Sequence, residues 1–329
     1  MKEALDNAET NLQQTIGEQF GVDIQQLDFV PIGESSWLYK ATDKEGQLLA
    51  VKVQKDNNPA VDEARRLLAR ADYSYVPAIH LTKDGNVQAA MGGFHVSVEN
   101  YIEHDDVKAH DATPDKNYLI MLGKALRSLH SIPVTPATPA NSTSPIPVET
   151  FRSLYLSPAQ ESIARFMDWS ADKPEAQTIR HIVESNTGTI DALFARSTEL
   201  GSQLSAKQPR LTLTHGDVHF GNILEAKDGG FYIIDWDSTI IGGIGHDLMY
   251  FSDKQLAHIS LGYVSDLLQD EENLQYYRNH LMLRFVWFWL DKARSSTTEQ
   301  GLQSVTETIA TTFDNSDYLL RALGHNSTS

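Results

Sequence analysis

Apolar positions along the chain alternate between helical and strand-like spacing. In the first stretch, Leu5, Ala8, Leu12, Ile16 and Phe20 recur at helical intervals, which predicts a helix over 4–20 ended by Gly21. Strand-like runs follow at 27–32, 37–42 and 48–53, separated by Gly33-Glu34-Ser35-Ser36 and by Asp43-Lys44-Glu45-Gly46. A helix is predicted over 59–71, with Val61, Ala64, Leu67 and Leu68 apolar, and further strands over 78–81, 87–91 and 94–102. Beyond Glu103 the pattern turns helical: 118–130, 151–169, 174–204 with a break near Thr187-Gly188, 255–268, 273–294 and 299–323. The Pro-, Ser- and Thr-rich run 135–147 reads as an exposed connection, and the tail from Gly324 as frayed. The expected class is α+β, with an antiparallel-sheet lobe over 1–103 and a larger, mostly helical lobe over 104–329.

Two short apolar runs interrupt the helices. The first leads into Thr214-His215-Gly216-Asp217-Val218-His219-Phe220-Gly221-Asn222, and the second, Phe231-Tyr232-Ile233-Ile234, ends on Asp235-Trp236-Asp237. Ala226-Lys227-Asp228-Gly229-Gly230 between them reads as a hairpin turn that folds the runs side by side. Asn222 and Asp235 then face each other, and an amide oxygen with one or two carboxylates makes a hard-oxygen site suited to Mg²⁺. Asp217 is left over and free to act on a substrate hydroxyl.

Charge narrows the partners. The formal net charge of -17 disfavours nucleic acid and anionic membrane, both polyanions, and is compatible with a cationic ligand or simply a solvated acidic surface. The chain has no cysteine, which excludes disulfides, thiolate metal sites and a Cys nucleophile. The acidic, polar start does not read as a signal peptide, so a cytoplasmic location is expected. The most apolar window, 281–290, is too short for a bilayer and carries Arg284, so a buried helix is expected there.

Lys52 sits in a strand whose neighbours Val51 and Val53 point to the other face. Taken alone, such a lysine either snorkels at an edge or is held by an anion. Glu63, on the following helix, faces either solvent or Lys52. In sequence order, a Gly-containing turn, a strand Lys, a helix Glu, His215-Gly216-Asp217 with Asn222, and Asp235 repeat the parts of the kinase template for phosphoryl transfer.

With Ile234-Asp235-Trp236-Asp237 and Gly245-His246-Asp247-Leu248, the chain resembles the aminoglycoside phosphotransferase and choline kinase-type small-molecule kinases, over nearly its whole length. The resemblance implies a bilobal protein-kinase-like fold and an ATP- and Mg²⁺-dependent O-phosphotransferase, with GTP as an open alternative donor. It implies that Asp217 orients the acceptor hydroxyl and takes its proton. Asn222 and Asp235 hold Mg²⁺, and Asp237 touches a second metal or the substrate. Lys52 contacts the nucleotide phosphates with Glu63 as its fixing partner. Ser35 and Ser36 donate to phosphate, and Glu99, Asn100 and Tyr101 form the hinge for the base.

The interval from Asp235 to Asp247 leaves no room for a long activation segment, which points to a small-molecule acceptor rather than a peptide. Tyr155-Leu156-Ser157-Pro158, near the start of a helical insert over about 151–204, looks most like the spectinomycin-type antibiotic phosphotransferases. A cationic aminoglycoside or aminocyclitol is the leading acceptor. Choline, homoserine, methylthioribose or a sugar-amine, a stress-type protein kinase, and a non-catalytic nucleotide-binding regulator are the alternatives. Monomer and dimer are both open.

Overall fold

Leu12, Ile16 and Phe20 line one side of an N-terminal helix and bury it on a sheet. The computed structural model describes residues 8–31, 36–104, 114–134, 145–169, 173–227, 229–265, 270–314 and 316–324. Its α1, Ala8–Thr15, runs into a π-helical turn, Ile16–Phe20, and Gly21 closes it at φ 73°. Strands β1 (Ile24–Val30), β2 (Trp37–Asp43) and β3 (Leu48–Gln54) follow, then α2 (Pro59–Arg70), β4 (Ile79–His80), β5 (Gln88–Met91) and β6 (Phe94–Asn100). The sheet order is β1-β2-β3-β6-β4, with β5 also on β6, and its pairs are antiparallel.

Strand alternation decides which face does what. Leu49, Val51 and Val53 of β3 and Val96 and Val98 of β6 are buried with α1 in one core. Lys52 and Gln54 therefore lie on the other face, where Lys52 is paired in register with Ser97. Helix α2 starts because Asn58 accepts the Val61 N–H and Pro59 takes the first turn, where its missing N–H costs nothing.

Helix α3 (Lys116–His130), capped by Asp115 on the Tyr118 N–H, joins strands β7 (Thr212–Thr214), β8 (Ile223–Glu225), β9 (Phe231–Ile233) and β10 (Ile240–Gly242). The turn at 226–230 does form a hairpin, but it pairs β8 with β9, while β7 pairs with β10. The run before His215 is thus not the hairpin partner of the run before Asp235.

Contacts divide the chain into one unit of 1–148 with 212–241 and another of 149–211 with 242–329. The boundary expected at Glu103 falls inside the first unit, because His104 bridges to Ala226 and Lys227 N–H donates to the Glu103 carbonyl.

The second unit is helical: α4 (Leu156–Met167), α5 (Pro174–Ser185), α6 (Thr187–Lys207), α7 (Gly245–Leu248), α8 (Asp253–Tyr263), α9 (Glu271–Ser295), α10 (Glu299–Phe313) and α11 (Asp317–Ala322). The break between α5 and α6 falls at Asn186, beside the expected position. The long helix expected over 299–323 is two helices, because Ser316 caps a new one on the Leu319 N–H. The second half of α9 supplies Met282, Leu283, Val286 and Leu290 to the core. Tyr276 and Tyr277 are buried as well, with Trp287 and Trp289 packed against the core. Among the described residues no helix is long and apolar enough to cross a membrane.

Candidate functional site

The site in the first unit is built from two strand ends and one strand face. After β7 the chain turns through Gly216, whose φ of 81° lies in the left-handed region that a Cβ disfavours. The loop then closes on itself. Asn222 Nδ2 donates to the Asp217 carbonyl at 2.9 Å and to its Oδ2 at 3.3 Å, and His219 Nε2 stands 3.6 Å from the same Oδ2. Asn222 thus turns its amide nitrogen toward Asp217 and its amide oxygen away, as an acceptor.

His215 fastens this loop to the end of β9. Its Nδ1 accepts the Asp217 N–H at 3.2 Å, and its Nε2 lies 2.8 Å from the Ile234 carbonyl. A carbonyl only accepts, so the proton belongs on Nε2. The ring is fully buried and packs on Trp236 with centroids 4.6 Å apart. Trp236 is itself buried and donates to the Ile233 carbonyl at 3.1 Å. The Ile234 N–H donates to the Asn222 carbonyl at 3.0 Å, so the backbones that carry Asn222 and Asp235 are adjacent.

Asp235 follows at φ 64°, left-handed for a residue with a Cβ, a region that Asp visits more readily than most. Lys52 meets it: Nζ lies 2.9 Å from Asp235 Oδ1 and 3.0 Å from Asp237 Oδ2. Burial works to lower the Lys52 pKa, but the carboxylates of Asp235 and Asp237 outweigh it and the pKa is raised. Lys52 is therefore a cation across the neutral range.

Glu63 does not pair with Lys52. Its half-buried carboxylate instead lies 3.8 and 3.7 Å from Arg66 and Arg70 of the same helix. The side chain α2 sends toward the sheet is Arg65, buried and paired with Glu99. Helical spacing put Glu63 on α2, but not on the face that reaches β3.

Of the expected hinge, Glu99 turns its side chain to Arg65. Asn100 and Tyr101, with Leu48, Ile102 and Tyr232, line a pocket of about 370 Å³. The Tyr101 N–H donates to the Leu48 carbonyl at 3.0 Å. Ser36 stands at the bend that opens β2, and Gly33 and Ser35 lie outside the described residues. Sequence reasoning missed Gln54, which lies on the Lys52 face of β3 and whose Nε2 reaches the Asp237 oxygens at 3.3 and 3.5 Å. Its spacing of two from Lys52 was the signal available.

Among the described residues no group of three or more His, Asp or Glu side chains could hold a metal ion. A cation here would have to draw on few protein oxygens and on phosphate and water. That is how Mg²⁺ is bound in phosphoryl-transfer sites, and the amide oxygen of Asn222 with the Asp235 carboxylate is a donor set of that kind.

Solved structures share this architecture. A spectinomycin phosphotransferase complexed with ADP and spectinomycin superposes with a TM-score of 0.77 at 18% identity, covering 95% of this chain and 97% of that one. An amicoumacin kinase bound to AMP-PNP and Ca²⁺ gives 0.59 at 14% identity, with 96% and 99% covered. A Plasmodium vivax ethanolamine kinase gives 0.58 at 11% identity, with 90% and 83% covered. At these identities the likeness establishes the protein-kinase-like fold. No curated protein sequence matches the chain. The model of the phosphotransferase enzyme family matches residues 33–280, a span that includes Lys52, the Asp217 loop and the Asp235 turn, and the chain belongs to that family.

Proposed function

We propose that the protein transfers the γ-phosphoryl group of ATP to a hydroxyl of a small cationic molecule, an aminoglycoside or aminocyclitol, with Mg²⁺ as the metal. The observation that carries this is the convergence of Lys52 on Asp235 beside a loop in which Asn222 holds Asp217. Phosphoryl transfer needs in-line positioning and charge neutralisation more than covalent chemistry.

Lys52 supplies a fixed positive charge for the nucleotide phosphates. Asn222 and Asp235 hold the Mg²⁺, which when bound neutralises phosphate charge. Asp217 receives the acceptor hydroxyl as a hydrogen bond and takes its proton as the new O–P bond forms. The Asn222 amide fixes the carboxylate, so its role is orientation as much as basicity. The pocket beside Asn100 and Tyr101 takes the nucleotide base.

Three features support the acceptor class: likeness to the spectinomycin enzyme over nearly the whole of both chains, the net charge of -17, and the short interval between Asp235 and Asp247. The test is incubation with ATP, Mg²⁺ and a panel of aminoglycosides, spectinomycin, choline and ethanolamine, with products read by mass spectrometry. A phosphate added to an aminoglycoside or aminocyclitol is expected. Phosphorylation of choline or ethanolamine alone would move the reading to a metabolic kinase, and nucleotide binding without transfer to any acceptor would sink it.

A further inference from the structure

We propose that Asp237, buttressed by Gln54, is the residue that positions Lys52, in place of a carboxylate on α2. This rests on the phosphotransferase reading above and adds to it which group holds the lysine.

A strand lysine on a half-buried face needs an anion to hold its ammonium in one place. Neither carboxylate of helix α2 is paired with Lys52: Glu63 lies 3.8 and 3.7 Å from Arg66 and Arg70, the charges acting on Asp62 are Arg66 and His95, and the residue turned inward is a second cation, Arg65, already matched by Glu99. Lys52 has two carboxylates within 3.0 Å, those of Asp235 and Asp237. Of the two, Asp235 is the more exposed, 46% against 31%, so water screens its grip on the lysine more, and Asp237 is the firmer partner with or without a metal.

Asp237 is built for that duty. Lys52 and Gln54 stand two apart on β3, so both side chains leave the same face of the strand. Lys52 bonds Oδ2 of Asp237, and the Gln54 amide reaches both of its oxygens, at 3.3 and 3.5 Å. The carboxylate is thus gripped by two rungs of one rigid strand, with donors already on its oxygens. A second metal would have to displace those donors.

Calorimetric titration of ADP into the full-length protein, with and without Mg²⁺, tests this. Asp237→Asn is expected to weaken ADP about tenfold in both series, one charge-assisted contact's worth. Glu63→Gln is expected to change affinity less than about twofold in either series, because its ion-pair partners are Arg66 and Arg70 rather than Lys52. Lys52→Met with Asp237→Asn is expected to be no worse than Lys52→Met alone, because the two act as one unit.

Weakening by Asp237→Asn confined to the Mg²⁺ series would make Asp237 a metal ligand and overturn the assignment. So would additive losses in the double variant, or a larger loss from Glu63→Gln than from Asp237→Asn. Should Asp237→Asn fail to melt cooperatively, Gln54→Ala decides: a loss of roughly two- to threefold in both series is expected, the share of one neutral hydrogen bond, and no change overturns the proposal. Absence of ADP binding by the parent would instead overturn the phosphotransferase reading, and this assignment with it.

Discussion

The Gly245 N–H donates to Asn273 Oδ1 at 2.8 Å, tying the first turn of α7 to the first turn of α9. The approach is close enough that a Cβ at Gly245 would lie 2.8 Å from the Asn273 carbonyl oxygen. That oxygen belongs to a helix backbone and cannot swing away. Gly245→Ala is expected to cost about 1–3 kcal/mol, as overpacking of a filled interior does, read as a lower denaturant midpoint at unchanged slope.

Glu149 is half-buried, and loss of water around its carboxyl raises its pKa against hydrogen bonds from the Phe151 N–H at 2.6 Å and the Tyr277 hydroxyl at 3.2 Å, which lower it. A raised carboxyl pKa means the native state binds the proton more tightly than the unfolded chain. The stabilisation is present at low pH and is lost as pH climbs from the ordinary glutamate range through the raised value. Melting temperatures of the parent minus those of Glu149→Gln should therefore fall with rising pH across that range. A difference independent of pH would refute this.

His280 has the opposite linkage. Burial, with smaller contributions from His246 and Arg284, lowers its pKa from 6.5 to about 3. The unfolded chain takes up this proton below 6.5 and the native state does not until about 3, so stability drains away between those values as pH falls. His280→Phe keeps an aromatic ring beside Tyr155, whose centroid lies 4.6 Å away. The variant should resist acid unfolding better than the parent, as followed by circular dichroism from pH 7 to pH 3.

Asp217→Asn preserves the shape of the loop while removing the proton acceptor. Turnover with an accepted substrate should drop by roughly 10²–10⁴, the range for a positioned acid or base, with ADP affinity within about twofold of the parent. Turnover at the parent's rate would show that Asp217 is not the base.

Much of this was legible from spacing. The alternation of Leu49, Val51 and Val53 fixes which face of β3 carries Lys52, and the 215–222 and 235–237 segments announce their chemistry by residue type. The partner of Lys52 was not legible. Ala60, Ala64 and Leu68 mark the buried stripe of α2, but which residue flanking that stripe, Glu63 or Arg65, reaches the sheet turns on a rotation finer than the apolar pattern resolves. The exchange of strand partners, β7 with β10 and β8 with β9, was hidden for a related reason. Three-residue strands carry too little pattern to choose a neighbour, and the hairpin signal at 226–230 specifies only what flanks it. The cap at Ser316 was readable from residue type and was overridden by apolar spacing that continues past it.

The left-handed backbone at Asp235 has a consequence for how this position tolerates change. Most side chains pay about 1–2 kcal/mol to sit there, whereas glycine, asparagine and aspartate do so at little cost. Saturation mutagenesis at 235 should thus sort variants twice, first by whether they accumulate as folded protein and then by whether they carry a negative charge. Only aspartate passes both filters. Asn and Gly pass the first alone, which makes Asp235→Asn and Asp235→Gly folded but inactive reference proteins, while Asp235→Ala confounds lost chemistry with a strained chain.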